Sequence, residues 1–377
     1  MHRFVLITGN LGNFLVMSTF FYFTHVSAHH SFATHYITNE LFEISGVVTD
    51  VQLRMPHSFY YLDVELGNGT IEQWEVEAQS IILLRRMGIN AGTLGIGDEV
   101  QVSGMRSRDP GRRVMFANEF LLESGERHVM YQLHDDSTPQ DSETYLADED
   151  RSSLNSSDAP LLQRISGVWM RRSAGPEDVF NRGGNSPMPL NRAGLAGRAT
   201  YDPTNASAID CKAPNFPALL YAPYLIRIQG SDERLIIDHE YYQVRRDISL
   251  TADHESGRSP TEFGYSTGRV DAGVLVIETD GFEDHPAGLA SDWDGNGRGA
   301  DIPGSSSKRL REEYTLSVNN QFLHLDLNVQ DPLYLTEPYR AKRLWERAGA
   351  EVIFEADVCD LEISRRSTIN ATGTVID

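Results

Sequence analysis

The chain has 377 residues, and its 33 Lys and Arg against 54 Asp and Glu give a net charge of −21. A surface of this sign gains little affinity by releasing counterions from a polyanion, so the composition argues against nucleic-acid binding. After the N-terminal region, no segment reaches the ~20 apolar residues of a membrane-spanning helix. The mature chain is therefore expected to be soluble, without stable membrane insertion.

The first residues are typical of a secretion signal. Arg3 precedes a mostly apolar stretch over residues 4–26, and Ala28 closes a small-residue pattern that signal peptidase accepts. Cleavage after Ala28 would make His29 the first residue of a periplasmic or secreted protein. The alternative is an uncleaved membrane anchor, although two asparagines interrupt the apolar run.

Composition divides the chain after this signal (residues 1–28) into four parts. Residues 29–132 form a first unit, and residues 133–160 form an acidic linker with too few apolar side chains for a core. Residues 161–361 form a larger second unit, and residues 362–377 form an unremarkable tail. Short strands separated by turns dominate both units, so the predicted fold class is mainly all-β.

The first unit shows three strands, one helix and two further strands, at residues 43–53, 57–66, 71–77, 79–87 (helix), 99–104 and 114–122. Val, Tyr and Phe recur in the strands with partial alternation. This order is typical of a five-stranded Greek-key barrel of the OB type.

The second unit contains candidate strands at residues 224–229, 234–238, 243–248, 274–279, 311–318 and 322–327. Their pattern predicts an antiparallel barrel or sandwich. Gly167 and Trp169 form a Gly-x-Trp start of the kind seen in lipocalin-like barrels, where the tryptophan plugs the barrel floor. The alternative is a core tryptophan on an ordinary first strand.

The chain has two cysteines, Cys211 and Cys359. An even pair in an oxidising compartment predicts a disulfide, and the alternative is two buried thiols. Closing so long a loop would stabilise the fold by about 5 kcal/mol in the chain-entropy model.

Several segments resemble two families of exported bacterial proteins of unknown function. The mature start His29-His30-Ser31-Phe32-Ala33 carries the first resemblance, together with residues 46–48, 56–58, 74–77 and 97–100. The second unit is similar to a family often fused to the first, through residues 268–270, 275–282, Glu312, 331–332 and the two cysteines. Residues 269–273 depart from that pattern, which usually has a tryptophan and an acidic turn there. The resemblance implies export and a β-rich architecture, and it brings no known reaction.

The histidines near the predicted cut are candidate metal ligands. Cleavage would give His29 a free amine beside its imidazole, and His30 and His57 could add further nitrogen donors for Cu or Zn. The alternative is a polar chain terminus and a strand-end histidine that makes a hydrogen bond.

A second candidate metal site lies in the segment 292–301. Asp292, Asp294, Asn296 and Asp301 offer side-chain oxygens at calcium-loop spacing. Pro303 occupies the position where an EF-hand has its bidentate glutamate, so the alternative is a Gly/Asp-rich turn.

Residues 238–246 carry the candidate binding and catalytic side chains. Strand alternation would place Asp238, Glu240 and Tyr242 on one face, with His239 and Tyr241 on the other. We expect the second unit to bind a small apolar or amphipathic molecule, with Tyr241, Tyr242 and Arg246 as ligand contacts. The alternative is a hydrolase or isomerase that uses His239, Glu240 and Arg245, and no standard catalytic motif is present to support it.

Overall fold

The computed structural model describes residues 35–38, 40–131, 160–172, 188–202, 207–251, 258–293, 299–355 and 358–372. The predicted signal, His29, His30 and nearly all of the predicted acidic linker lie outside these ranges. Among the described helices, none combines the length and apolar character needed to cross a membrane.

The first unit contains β1 (Phe42–Gln52), β2 (Ser58–Glu65), β3 (Ile71–Ala78), α1 (Ile81–Arg86), β4 (Glu99–Arg106), β5 (Val114–Leu122) and β6 (Arg127–Val129). Strands pair in the order β3-β2-β1-β4-β5, and a parallel pairing of β3 with β5 closes a five-stranded barrel. The predicted barrel is confirmed, with α1 between β3 and β4.

Glycine allows two of these strands to approach their neighbours closely. A Cβ atom on Gly104 would lie 2.2 Å from the carbonyl oxygen of Phe116, and one on Gly46 would lie 2.5 Å from that of Asp63. Any side chain at either position would therefore push adjacent strands apart.

Helix α1 lies between the cores of the two units. Ser80 caps its N-terminus by accepting a hydrogen bond from the Leu83 amide. Leu84 is buried in the first barrel, whereas Ile82 belongs to the hydrophobic cluster of the second unit. Opposite faces of one short helix thus join the two barrels.

The second unit contains five regions of helix and eleven strands within the described residues. The helices are α2 (Leu161–Ile165), α3 (Arg192–Ala199), α4 (Ala218–Tyr221) and two 3-10 turns (Ser207–Asp210 and Tyr241–Gln243). The strands are β7 (Gly167–Arg172), β8 (Ile226–Gly230), β9 (Arg234–His239), β10 (Arg245–Ser249), β11 (Tyr265–Asp271), β12 (Val274–Asp280), β13 (His285–Trp293), β14 (Gly299–Gly304), β15 (Arg309–Leu316), β16 (Phe322–Gln330) and β17 (Tyr339–Arg347).

Nine of these strands form a closed barrel in the order β7-β8-β9-β10-β11-β12-β15-β16-β17. This arrangement confirms the predicted barrel, although β11 and β17 were not among the candidate strands. Neighbouring strands are antiparallel except β10 and β11, whose described pairing is Ser249 with Thr267. Strands β13 and β14 form a separate hairpin between β12 and β15.

Trp169 lies on β7, next to β17 in the larger barrel. It is fully buried, and its indole N–H donates to the carbonyl oxygen of Ile165 at 2.8 Å. The Arg347 guanidinium lies 4.2 Å above the indole ring and donates to the carbonyl oxygen of Ser166 at 2.9 Å. These contacts hold β17, the last barrel strand, against β7, the first, with which it pairs to close the barrel.

The C-terminal segment differs from the predicted tail, because it forms helix α5 (Leu361–Thr372). The predicted Cys211–Cys359 disulfide is present just before it. Asp360 caps the helix by accepting from the Ile363 amide, and Arg366 donates to the Tyr61 hydroxyl at 2.8 Å. The disulfide ties this segment to the second unit at Cys211, and the Arg366 contact holds helix α5 against the first barrel.

Candidate ligand-binding site

A buried ion pair lies inside the larger barrel. Arg246 on β10 donates to both carboxylate oxygens of Glu312 on β15, at 2.9 and 2.6 Å. Their side chains are 4% and 0% exposed. The Tyr314 hydroxyl donates to the same carboxylate at 2.8 Å, and burial together with this negative charge raises the pKa of Tyr314 well above its usual value.

The rest of the Arg246 guanidinium is also engaged. Its Nε atom donates to Ser266 at 2.9 Å, and an Nη atom donates to Thr279 at 2.5 Å. One face lies 4.4 Å above the ring of Phe216. Arg246 is therefore a neutralised, immobilised part of the site wall, rather than an open anion-binding group.

His239 also contacts Phe216. The two rings meet edge to face at 5.6 Å, and the histidine is 2% exposed. Burial, followed by the nearby charge of Arg246, lowers the pKa of His239 to about 3, so the ring is neutral at physiological pH. Its Nε2 atom makes no hydrogen bond within the described part of the chain.

A cleft opens in the barrel wall between β10 and β11, where the pairing of these strands is short. Its volume is about 470 Å³. Phe216, Phe263 and Tyr265 contribute aromatic surface, and Arg246 and Ser266 line its inner wall. The rim is polar, with Glu233, Arg234, Arg245, Asp247, Ser249, Thr251, Arg258, Thr267 and Asp280. We call this space the seam cleft.

A second cleft, of about 540 Å³, lies beside the first and shares Arg258, Tyr265 and Asp280 with it. Its other lining residues are Gly281, Ser306, Ser307, Lys308, Arg309, Gln330 and Pro332. We call this space the basic cleft. Tyr265 forms the ridge between the two, and the Arg258 guanidinium lies 5.0 Å from its ring centre.

Lys308 is fully buried beneath the basic cleft. Its amine donates to the carbonyl oxygens of Phe216 and Gly288, at 2.5 and 2.7 Å, and to the Asn215 side chain at 3.1 Å. Burial lowers the pKa of Lys308 to about 7, against the opposing effect of Asp331. These bonds hold the Phe216 backbone in place at the inner wall of the seam cleft.

The three predicted catalytic residues do not surround one space. Strand β9 ends at His239, and a tight turn follows in which Tyr242 has φ of 55°. Glu240 accepts from Arg86 of α1 and from the Glu355 amide, so it joins the two units. Arg245 instead pairs with Asp238 at 2.7 Å, with its side chain 60% exposed. The predicted alternation through residue 242 fails because the turn redirects the chain after His239.

The predicted ligand contacts Tyr241 and Tyr242 also lie away from the seam cleft. Tyr241 stacks on Tyr224 with ring centres 4.6 Å apart, and it meets Tyr242 at 4.4 Å. The Tyr224 hydroxyl donates to Ser80 of the first unit at 3.1 Å. These aromatic side chains pack where the barrels meet, and of the predicted contacts only Arg246 lines the inner wall.

His57 belongs to a polar cluster in the first unit. Its Nδ1 atom lies 2.9 Å from the Glu77 carboxylate, which also accepts from the Tyr36 hydroxyl at 2.6 Å. His35 is buried nearby, and its Nδ1 atom makes no hydrogen bond within the described residues. Burial lowers the pKa of His35 to about 4, against the effect of Glu77.

The described ends of the calcium-loop segment lie on β13 and β14. The backbone of Asp292 pairs with Ala300, and that of Asp301 pairs with Ser291. Asp294 and Asn296 lie outside the described residues. Within the residues that are described, no group of three or more His, Cys, Asp or Glu side chains is arranged to hold a metal ion.

Sequence reasoning missed the inward role of Glu312 and the aromatic wall of the seam cleft. Along β15, alternate residues lie on the same face of the strand, and those on the inward face are all buried: Leu310, Glu312, Tyr314 and Leu316. A single carboxylate among the apolar residues of a strand's inward face indicates that it has a buried partner. No comparable signal marks Phe216, which reaches the cleft from a loop.

The fold and site define a β protein of two barrels, whose larger barrel has an aromatic and polar cleft in its wall. Residues 21–115 match the model of a family of unknown function (DUF6152), a range that contains most of the first barrel. No curated protein matches the chain.

Proposed function

We propose that this protein binds a small amphipathic molecule in the seam cleft of its larger barrel. The observation that carries the proposal is a cleft of about 470 Å³ whose wall combines Phe216, Phe263 and Tyr265 with fixed polar groups. Ligand sites are commonly concave and aromatic, with a few placed polar groups that set orientation.

The inner wall supports binding because it is already organised. Arg246 is held by Glu312, Thr279 and Ser266, and Phe216 is held from below by Lys308. A ligand would therefore meet a wall that loses little conformational freedom on association.

We further propose that the larger barrel is lipocalin-like and that the first unit is an OB-like accessory module. The full burial of Trp169 on the first barrel strand, with Arg347 over its ring, supports the first idea, because the Gly-x-Trp start of lipocalin-like barrels has a buried tryptophan at this position. The packing of α1 between the cores supports an accessory role, since it ties the first barrel to the ligand-binding one.

Export to the periplasm, with cleavage after Ala28, is part of the same proposal. The Cys211–Cys359 disulfide supports it, because disulfides persist mainly in oxidising compartments.

Filling part of the seam cleft should weaken binding. Thr251 is an exposed residue on its rim, and we expect Thr251→Trp to weaken binding of the uncharged fluorescent probe phenylnaphthylamine by about tenfold or more, because the indole occupies ligand space. Fluorescence titration measures the affinity, and native mass spectrometry of periplasmic protein tests for a co-purifying molecule.

Thr70→Trp is the matched control, since Thr70 is an exposed threonine in the β2–β3 turn of the first barrel. It should leave the affinity unchanged. The proposal fails if the wild type carries no ligand and binds no probe, or if both variants bind as the wild type does.

A second candidate function is copper or zinc binding through the mature N-terminus, with His29, His30 and His57. The pairing of His57 with Glu77 favours it, because metal-binding imidazoles commonly direct their other nitrogen to a carboxylate. Buried His35, six positions after His29, adds a nitrogen near this pair.

Metal analysis of periplasmic protein tests this candidate. We expect one equivalent of Cu or Zn in the wild type and its loss in both His29→Ala and His57→Ala, because each removes a nitrogen ligand. His128→Ala is the matched control, since His128 also lies in the first unit near a glutamate, 3.5 Å from Glu126. A wild type without stoichiometric metal rules the candidate out.

A further inference from the structure

We propose that the ligand of the seam cleft is an amphipathic anion, whose apolar body lies against Phe263 and Tyr265 and whose anionic head lies in the basic cleft near Arg309. This inference rests on the proposed function and specifies the chemical class of its ligand. The head would be a carboxylate, sulfate or phosphate, which share the same recognition chemistry.

The two clefts adjoin and share three lining residues. Arg258, Tyr265 and Asp280 line both, so a molecule that passes over the Tyr265 ridge contacts each space. The Tyr265 hydroxyl donates to the carbonyl oxygen of Ser259 at 2.9 Å, which fixes the ring as a platform. An extended ligand fits this shape better than a compact one.

The charge of the basic cleft is opposite to that of the whole chain. Arg258 and Arg309 line it together with Lys308, which is partly charged near neutral pH, and Asp280 is the one carboxylate among its described lining residues, in a protein of net charge −21. Such a local excess of cations favours an anionic group over a neutral one.

Arg309 is the cation best placed to receive that group. It is exposed at the start of β15, and it makes no ion pair within the part of the chain that the structure describes. The neighbouring arginine on the same strand, Arg311, instead pairs with Glu278 and Glu313, at 2.7 Å each. Arg309 thus retains its donors for a ligand, and guanidinium geometry suits oxyanions.

Lys308 contributes charge without direct contact. Its amine is already saturated by three neutral acceptors, none of which is a carboxylate. With a pKa of about 7, Lys308 adds only part of a positive charge to the basic cleft near neutral pH, and Arg309 makes the hydrogen bonds.

Two probes of matched shape test the inference: anilinonaphthalene sulfonate, which carries an anionic group, and uncharged phenylnaphthylamine, which has the same aromatic skeleton. We expect the wild type to bind the sulfonate more tightly. Arg309→Gln should weaken sulfonate binding by about tenfold, the effect typical of losing a charge-assisted hydrogen bond. Its affinity for the uncharged probe should not change.

Arg54→Gln is the control, because Arg54 is an exposed arginine of the first unit with no ion pair among the described residues. It should bind both probes as the wild type does. If both probes bind equally and Arg309→Gln changes neither, the anionic head is refuted while the proposed binding function stands. If neither probe binds the wild type, the proposed function fails and this inference fails with it.

Discussion

Glu312→Ala is expected to lower the free energy of unfolding by about 3–5 kcal/mol, the cost typical of removing one partner from a buried ion pair. The loss is large because the Arg246 guanidinium would remain inside the barrel without its carboxylate. The Tyr314 hydroxyl would lose its acceptor in the same change. Urea unfolding followed by tryptophan fluorescence measures the difference from the wild type.

Two further variants distinguish the effect of burying the ion pair from the effect of losing a carboxylate. Glu278→Ala removes a carboxylate that pairs with Arg269 and Arg311 on the outer face, and it should cost about 1 kcal/mol or less. The double variant Arg246→Met with Glu312→Leu should be more stable than Glu312→Ala, because it leaves no buried charge. Equal losses for Glu278→Ala and Glu312→Ala would contradict a special role for the buried pair.

Replacing both cysteines by serine is expected to lower the free energy of unfolding by up to about 5 kcal/mol in the chain-entropy model. The effect is large because the bond joins residues 148 positions apart, and its loss frees much of the unfolded chain. Helix α5 should also loosen, since Cys359 anchors the chain just before it. Urea unfolding measures the stability, and proteolysis within α5 reports its release.

Reductant provides the control for the disulfide. It should lower the stability of the wild type to that of the double Cys211→Ser, Cys359→Ser variant, and it should not affect the variant. A wild type whose stability does not change after verified reduction would overturn this prediction.

The sequence predicted best the strands in which buried apolar residues alternate with more exposed residues. Strand β2 alternates Tyr60, Leu62 and Val64 on its buried face, so the pattern was visible. Strand β17 alternates in the same way, but Arg343 occupies an inward position with only 2% exposure. An arginine in the buried phase hides the hydrophobic period, and this strand was missed.

The candidate site was less predictable than the fold. Arg246 was singled out, yet its partner Glu312 is 66 positions away, and only barrel closure brings the two together. The predicted set His239, Glu240 and Arg245 lies within seven residues of sequence, but the turn after β9 sends these side chains into the barrel, to the junction with α1, and to the outer face.

By itself, the sequence determined the β-rich architecture, the five-stranded order of the first barrel and the cysteine pair, because these depend on local periodicity, turn residues and residue count. Only the tertiary structure decided where polar side chains meet. The seam cleft arises from the short pairing of β10 with β11, and its wall joins Phe216 from a loop to Arg246 and Ser266 from strands. Contacts between residues so distant in the chain depend on strand register and closure, which no local pattern encodes.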